Sequence, residues 1–201
     1  MLTLLFIGCF GKTNAIPKPQ KQQVKEVLVT NPGDFEQSVD LNGDGVADAE
    51  TVLETGMTVQ KIDINGDGQV DVINHYKERE DGTQVLMYKS VDMNWDGKTD
   101  VQTWFNINGE IEKEAMDGDF DGLTEWVDHY KGNKLILSEI DSDFDGKFDL
   151  FRIYKSERLE EKRYDRDGDG KIDYWQYFDA NGTLLKTGKD TDGDGEVDVR
   201  N

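Results

Sequence analysis

One nine-residue string, Asp-x-Asp/Asn-x-Asp-Gly-x-x-Asp/Glu, recurs seven times in this chain of 201 residues and limits what it can fold into. The copies start at Asp40, Asp63, Asp92, Asp117, Asp141, Asp165 and Asp190, with starts 23, 29, 25, 24, 24 and 25 residues apart. Positions one, five, six and nine keep to the pattern in every copy. A unit of about 24 residues cannot bury an apolar face alone, so neighbouring units must stack into an array.

The spacing carries the chemistry. Alternate side chains at positions one, three and five of a tight loop can point at one ion. Position seven offers a backbone carbonyl, which leaves its side chain free to vary, and position nine closes the shell directly or through water. Glycine at position six permits the sharp turn. The candidate ligands are Asp40, Asn42, Asp44 and Asp48 in the first loop; Asp63, Asn65, Asp67 and Asp71 in the second; and Asp92, Asn94, Asp96 and Asp100 in the third. They continue as Asp117, Asp119, Asp121 and Glu125 in the fourth; Asp141, Asp143, Asp145 and Asp149 in the fifth; Asp165, Asp167, Asp169 and Asp173 in the sixth; and Asp190, Asp192, Asp194 and Asp198 in the seventh. An all-oxygen set selects a hard cation, and flexible many-ligand loops favour calcium over magnesium. The expectation is calcium, up to seven ions, one per loop.

Charge supports this reading. The formal net charge is −20, and the loops hold 25 of the 43 acidic residues, three in each of the first three loops and four in each of the rest. Two like charges at ~4 Å repel by roughly 4 kcal/mol at an effective dielectric near 20. Seven divalent ions would bring the net charge from −20 to −6. So acidic a chain repels nucleic acid and anionic lipid.

Between loops the sequence reads as strands. Runs such as DVINHYK, DVQTWFN and DYWQYFD are β-branched and aromatic. Position fourteen is large and apolar in every complete unit (Leu53, Tyr76, Phe105, Tyr130, Tyr154, Phe178), and position eight, mostly apolar, falls on the same side at period two. Asp81-Gly82, Asn108-Gly109, Gly132-Asn133 and Asn181-Gly182 mark turns before each return run. Residues 155–164, KSERLEEKRY, lack a central glycine and are compatible with a helix by composition. The expected fold is all-β: an antiparallel meander of loop–strand–turn–strand repeats, open or coiled, with the ion loops along one edge.

The first 39 residues differ in character. Residues 1–15 read as a targeting segment with a short apolar run at Leu2–Phe10, and 16–39 as a linker and capping hairpin before the repeat domain at 40–201. Phe6-Ile7-Gly8-Cys9 resembles a bacterial lipobox, which makes Cys9, the single cysteine, the candidate lipidation site and the only expected membrane attachment. Cleavage after Ala15 is the alternative. With no intramolecular disulfide possible, metal is the natural staple for a secreted chain.

The loops resemble those of thrombospondin type 3 and dockerin repeats, and most nearly the hairpin calcium loops of integrin α-subunit propellers. The resemblance implies calcium binding that orders an extracellular array, and it covers residues 40–201 but is specific only within the loops. Position twelve departs from the EF-hand, where a bidentate Glu stands; only Asp128 could serve there. His75 and His129 share position thirteen, which admits a zinc site, although strand packing accounts for both. Trp104, Trp126, Trp175 and Tyr177 could form a stripe for glycan stacking, against the simpler reading of cross-strand packing. No nucleophilic triad or phosphate loop is present in the sequence. The expected role is therefore non-enzymatic: a secreted or bacterial surface protein, adhesin-like, whose partner is a surface glycan or a host or matrix protein. The alternative is a carbohydrate-binding or glycan-acting module with structural calcium.

Overall fold

The computed structural model describes residues 37–201, which contain strands, turns and loops but no helix. Strand β1 (Gln37–Val39) leads into six hairpins. These are β2 (Ala49–Glu54) with β3 (Met57–Ile62), β4 (Val72–Glu78) with β5 (Gln84–Val91), and β6 (Val101–Phe105) with β7 (Ile111–Met116). Then come β8 (Trp126–Lys131) with β9 (Lys134–Ile140), β10 (Leu150–Lys155) with β11 (Arg158–Tyr164), and β12 (Tyr174–Phe178) with β13 (Leu184–Lys189). Strand β14 (Val199–Arg200) follows the last loop. All fourteen form one sheet whose spatial order is the chain order, an open antiparallel meander with every Asp-rich loop on one edge and every hairpin turn on the other. The targeting segment, Cys9 and most of the capping hairpin lie outside the described residues; of that hairpin, β1 pairs with β2.

The register sorts residues into rows, because directly opposed residues share a face and alternate residues do not. Position ten of each unit begins an apolar row next to the loops, running through Ile62, Val72, Val91, Val101, Met116, Trp126 and Ile140. Position twelve lies on the same face in a polar row, Gln60, Asn74, Lys89, Thr103, Glu114, Asp128, Ser138 and Arg152, continuing to Gln176. Within the row Asn74 Nδ2 donates to Gln60 Oε1 at 3.0 Å, and the position-fourteen Tyr130 hydroxyl donates to Glu114 at 2.8 Å, while Ser138 Oγ and Arg152 Nε are buried with no hydrogen-bond partner among the described residues. Position fourteen returns to apolar, with Tyr130 opposite Leu135 and Phe178 opposite Leu184.

The buried apolar side chains are few: Val59, Val72, Val85, Ala115, Val127, Ile140 and Trp175. They divide between the two faces, so there is no single thick core. A one-layer sheet with so little apolar burial gains correspondingly little from the hydrophobic effect.

Two expectations are corrected. Residues 155–164 are not helical; Ser156 and Glu157, both at positive φ, form a two-residue turn and Arg158–Tyr164 is β11. Pairing on both sides, with β10 and β12, overrides the local composition. Position eight does not extend the strands, which it precedes: Ala47, Val70, Thr99 and Thr124 are exposed, and Phe148, Ile172 and Val197 are half-buried.

The hairpins share a further regularity. In five of the six, the register shifts between positions thirteen and fourteen, leaving one extra residue on the return strand: Met87, Glu112, Ile136, Glu160 and Leu185. A bulge in each of these five hairpins adds twist in the same sense.

Candidate metal centre

Each loop is held by its own carboxylates. The position-one Asp accepts the N–H of residue four on one oxygen and of residue six on the other in all seven copies, for example Gly43 and Gly45 on Asp40, or Phe120 and Gly122 on Asp117. Position five accepts the N–H of residue seven in all seven. Position nine accepts the N–H of residue two in all seven. Short Asx side chains are suited to such local bonds, which is why this composition folds into a loop and not into a longer strand. The position-six glycines sit at φ between 83° and 97°, a region closed to most side chains.

Backbone bonds join loop to loop. The first residue of each loop donates to the ninth residue of the loop before, from Asp63 N–H to Asp48 O at 2.8 Å through Asp190 N–H to Asp173 O at 3.0 Å. The ladder of the sheet thus runs on through both end residues of each loop. Side chains at position seven also reach the next loop. Lys147 and Lys171 donate Nζ to the carbonyls of Gly168 and Gly193, and a Cβ on Gly97 would meet Gln69 Oε1 at 2.6 Å. Position seven, expected to vary freely, is not free: its contacts lie in the neighbouring repeat, where no single-loop pattern shows them.

The ligand sets converge to different degrees. In the fourth loop Asp117, Asp119, Asp121 and Glu125 each bring one oxygen within 4.8 Å of all the others. Three carboxylates meet in the third (Asp92, Asp96, Asp100), fifth (Asp141, Asp143, Asp149), sixth (Asp165, Asp167, Asp173) and seventh (Asp190, Asp192, Asp194). Asp145, Asp169 and Asp198 stand outside these groups. Asp198 instead accepts both the N–H and the hydroxyl of Thr191, which holds its carboxyl below the usual range. Asp40, Asn42, Asp44, Asp48, Asp63, Asn65, Asp67 and Asp71 form no such three-carboxylate group in the first two loops. There the position-three amide is turned inward as a donor, Asn42 to Asp48 and Asn65 to Asp67, both at 3.1 Å.

Electrostatics follow the crowding. Desolvation, then repulsion from Asp145 and Asp149, raises the Asp143 carboxyl. Asp40 is lowered, first by the Gly45 N–H and then by that of Gly43. Nine of the fourteen end residues are buried, Asp40 and Asp198 being exposed and Asp149, Asp173 and Asp190 half-buried; Asp71 is 2% exposed, and its Oδ1 has no partner among the described residues. A buried carboxylate oxygen without a donor is costly, and a cation beside it would offset that cost. The converging carboxylate oxygens of loops three to seven fit a divalent cation, and the orphaned oxygen of Asp71 does so separately in the second loop, where no three carboxylates converge.

Other candidates are placed elsewhere. Asp128 is on the sheet face, accepting from Trp126 Nε1 at 2.7 Å, not in the fourth loop's group. His75 and His129 lie on β4 and β8, four strands apart; His75 packs edge-on to Tyr88, and His129 meets Glu139 at 2.7 Å. Trp126 is on the opposite face from Trp104, Trp175 and Tyr177, so the four form no common stripe.

No family model matches the chain, and no curated protein matches it. Among solved structures, a chain in the crystal structure of accessory secretory protein 1,2 and 3 in Streptococcus pneumoniae is similar over 67% of this chain and 22% of its own length, at 10% identity and a TM-score of 0.30. A likeness that slight carries no argument about fold or function.

Proposed function

We propose that the chain is a calcium-binding repeat protein whose sheet is completed by ions held in its loops. The carrying observation is the fourth loop, where Asp117, Asp119, Asp121 and Glu125 offer four oxygens within 4.8 Å of one another. Hard carboxylate and carbonyl donors in irregular loops favour calcium over magnesium, which demands a stricter octahedron. The loops' likeness to those of integrin propellers and thrombospondin repeats belongs to this reading, as does a secreted or lipid-anchored location through Cys9. With its conspicuous acidic clusters assigned to ions, the role is structural and adhesive, not catalytic. Affinities of ~10⁻⁴–10⁻³ M are expected for extracellular modules of this kind.

The test is calorimetric titration of the full chain with calcium, and separately with magnesium. Uptake of several calcium ions, up to the seven loops present, supports the reading. No uptake at millimolar calcium would sink it.

A further inference from the structure

Position four of the loop is glycine in loops one, two, six and seven (Gly43, Gly66, Gly168, Gly193), always at positive φ. In the three consecutive middle loops it is Trp95, Phe120 and Phe144, held in the same left-handed region at φ of 64°, 67° and 65°. That region disfavours any residue with a Cβ, and a bulky aromatic most of all. Burial does not compensate: the three side chains are 55%, 40% and 59% exposed. Each backbone is fixed by its N–H bond to the position-one carboxylate, Asp92, Asp117 or Asp141. Strained, exposed aromatics on a rigid edge point to a surface for a partner.

The partner's chemistry follows from the surroundings. Six other aromatic residues of the sheet are covered by the chain's own cations, as with Lys113 at 4.7 Å over Trp104 and Arg166 at 3.5 Å over Tyr174. No cation of the described residues covers the three loop-tip rings. They stand among three, four and four loop carboxylates; with Lys98 and Lys147 counted the three loops carry −2, −4 and −3, and one divalent ion in each would bring them to 0, −2 and −1, so this stretch of the edge stays negative. Lys98 and Lys147 lie beside their own loops' Asp96 and Asp145. Rings set among carboxylates attract ammonium and guanidinium groups. Loops follow every second strand, which sets neighbouring tips about 10 Å apart. A polyproline II segment repeats every three residues, or about 9 Å.

We propose that Trp95, Phe120 and Phe144 form a docking edge for an extended basic polypeptide segment carrying Lys or Arg at every third residue. This goes beyond the calcium reading and does not depend on it.

The probe is a synthetic Lys-Pro-Pro repeat peptide, titrated calorimetrically into the full chain at millimolar calcium. Controls are a Glu-Pro-Pro repeat and a peptide of equal charge with its lysines clustered at one end. The expected result is saturable binding of the Lys-Pro-Pro repeat alone. The variant W95G/F120G/F144G adopts the glycine of the other four loops, so it folds, and it should bind the peptide at least about tenfold more weakly. W95Y/F120Y/F144Y keeps the rings and should restore affinity. The proposal is overturned if the native chain does not bind the Lys-Pro-Pro repeat, if the clustered peptide binds equally, or if the glycine variant retains its affinity. Ring-dependent binding of a neutral polysaccharide or of phosphatidylcholine vesicles in its place also overturns it. Calcium uptake measured on the same samples reports separately on the calcium reading.

Discussion

The two edges of this sheet use the same residues to opposite effect. On the turn edge one Asp serves one turn: Asp179 accepts N–H groups from Thr183 and Asn181, and Asp81 the hydroxyl and N–H of Thr83, and both carboxyls are held low by those bonds. On the loop edge three or four carboxylates share one turn, and Asp143 is pushed up by desolvation and by its neighbours. The turn edge is satisfied by the chain itself, so its sequence varies. Thr55-Gly56, Gly132-Asn133 and Ser156-Glu157 make two-residue turns, while the turns at Gly82, Gly109 and Gly182 are longer. The loop edge gathers carboxylates that could hold a metal ion, and its sequence is nearly constant. On the proposed reading, uniformity marks the edge that takes an external ion.

Calcium should therefore act on one edge and carry the whole sheet with it, which is the largest effect expected. A site held at a hundredfold its Kd adds about 2.7 kcal/mol, and several sites act together. The midpoint of thermal unfolding should rise steeply with calcium and fall again with a chelator. An unchanged midpoint would remove the distinction between the edges.

Single ligands come next. Glu125→Gln should lose one ion from the stoichiometry and up to about 2.7 kcal/mol of stability under those same loaded conditions. Without calcium it should be no less stable than the native chain, because an amide still accepts the Gly118 N–H that Glu125 accepts at 2.6 Å. Chemical unfolding in calcium and in chelator separates the two outcomes. A loss of equal size in both would make Glu125 a plain structural residue.

Glycines give a smaller, more symmetrical contrast. Gly122 at φ 97° and Gly182 at φ 81° both lie in the left-handed region. Alanine at either should cost about 1 kcal/mol in the ion-free protein. Only Gly122→Ala should also weaken calcium uptake, since only that turn shapes a ligand set. Equal calcium affinity in both variants would mean that the fourth loop's turn does not position its ligands.

Much of this was legible because both edges are local. The Asx loops, the glycines and the turns at Gly82, Gly109, Gly132 and Gly182 are set by residues within a few positions of each other. What escaped the sequence is what passes between repeats. The polar row through Asn74, Thr103 and Ser138, the reach of Lys147 and Lys171 into the next loop, and the β11 pairing of KSERLEEKRY all depend on register. The varied convergence of the ligand sets also escaped. Asp145, Asp169 and Asp198 match the pattern yet face other donors or stand apart, such as Thr191 for Asp198.

The smallest expected effect tests the comparison most directly, through pH in the ion-free protein. Asp179 has a folded-state pKa below its ordinary 3.8. The stability it contributes is complete above pH 3.8 and is lost as pH falls through the lowered value. Asp143 has a folded-state pKa above 3.8, so its contribution is complete below pH 3.8 and is lost as pH rises through the raised value. At neutral pH in chelator, Asp179→Ala should therefore lower the unfolding midpoint and Asp143→Asn should raise it. The Asp143→Asn gain should fade as pH falls toward 3.8, and the Asp179→Ala deficit should persist until below it. Calcium should reverse the sign for Asp143→Asn, because repulsion becomes ligation once an ion is bound, and leave that for Asp179→Ala unchanged. If both variants shift the midpoint in one direction in chelator, the crowding on the loop edge is already relieved without an ion, and the contrast between the edges fails.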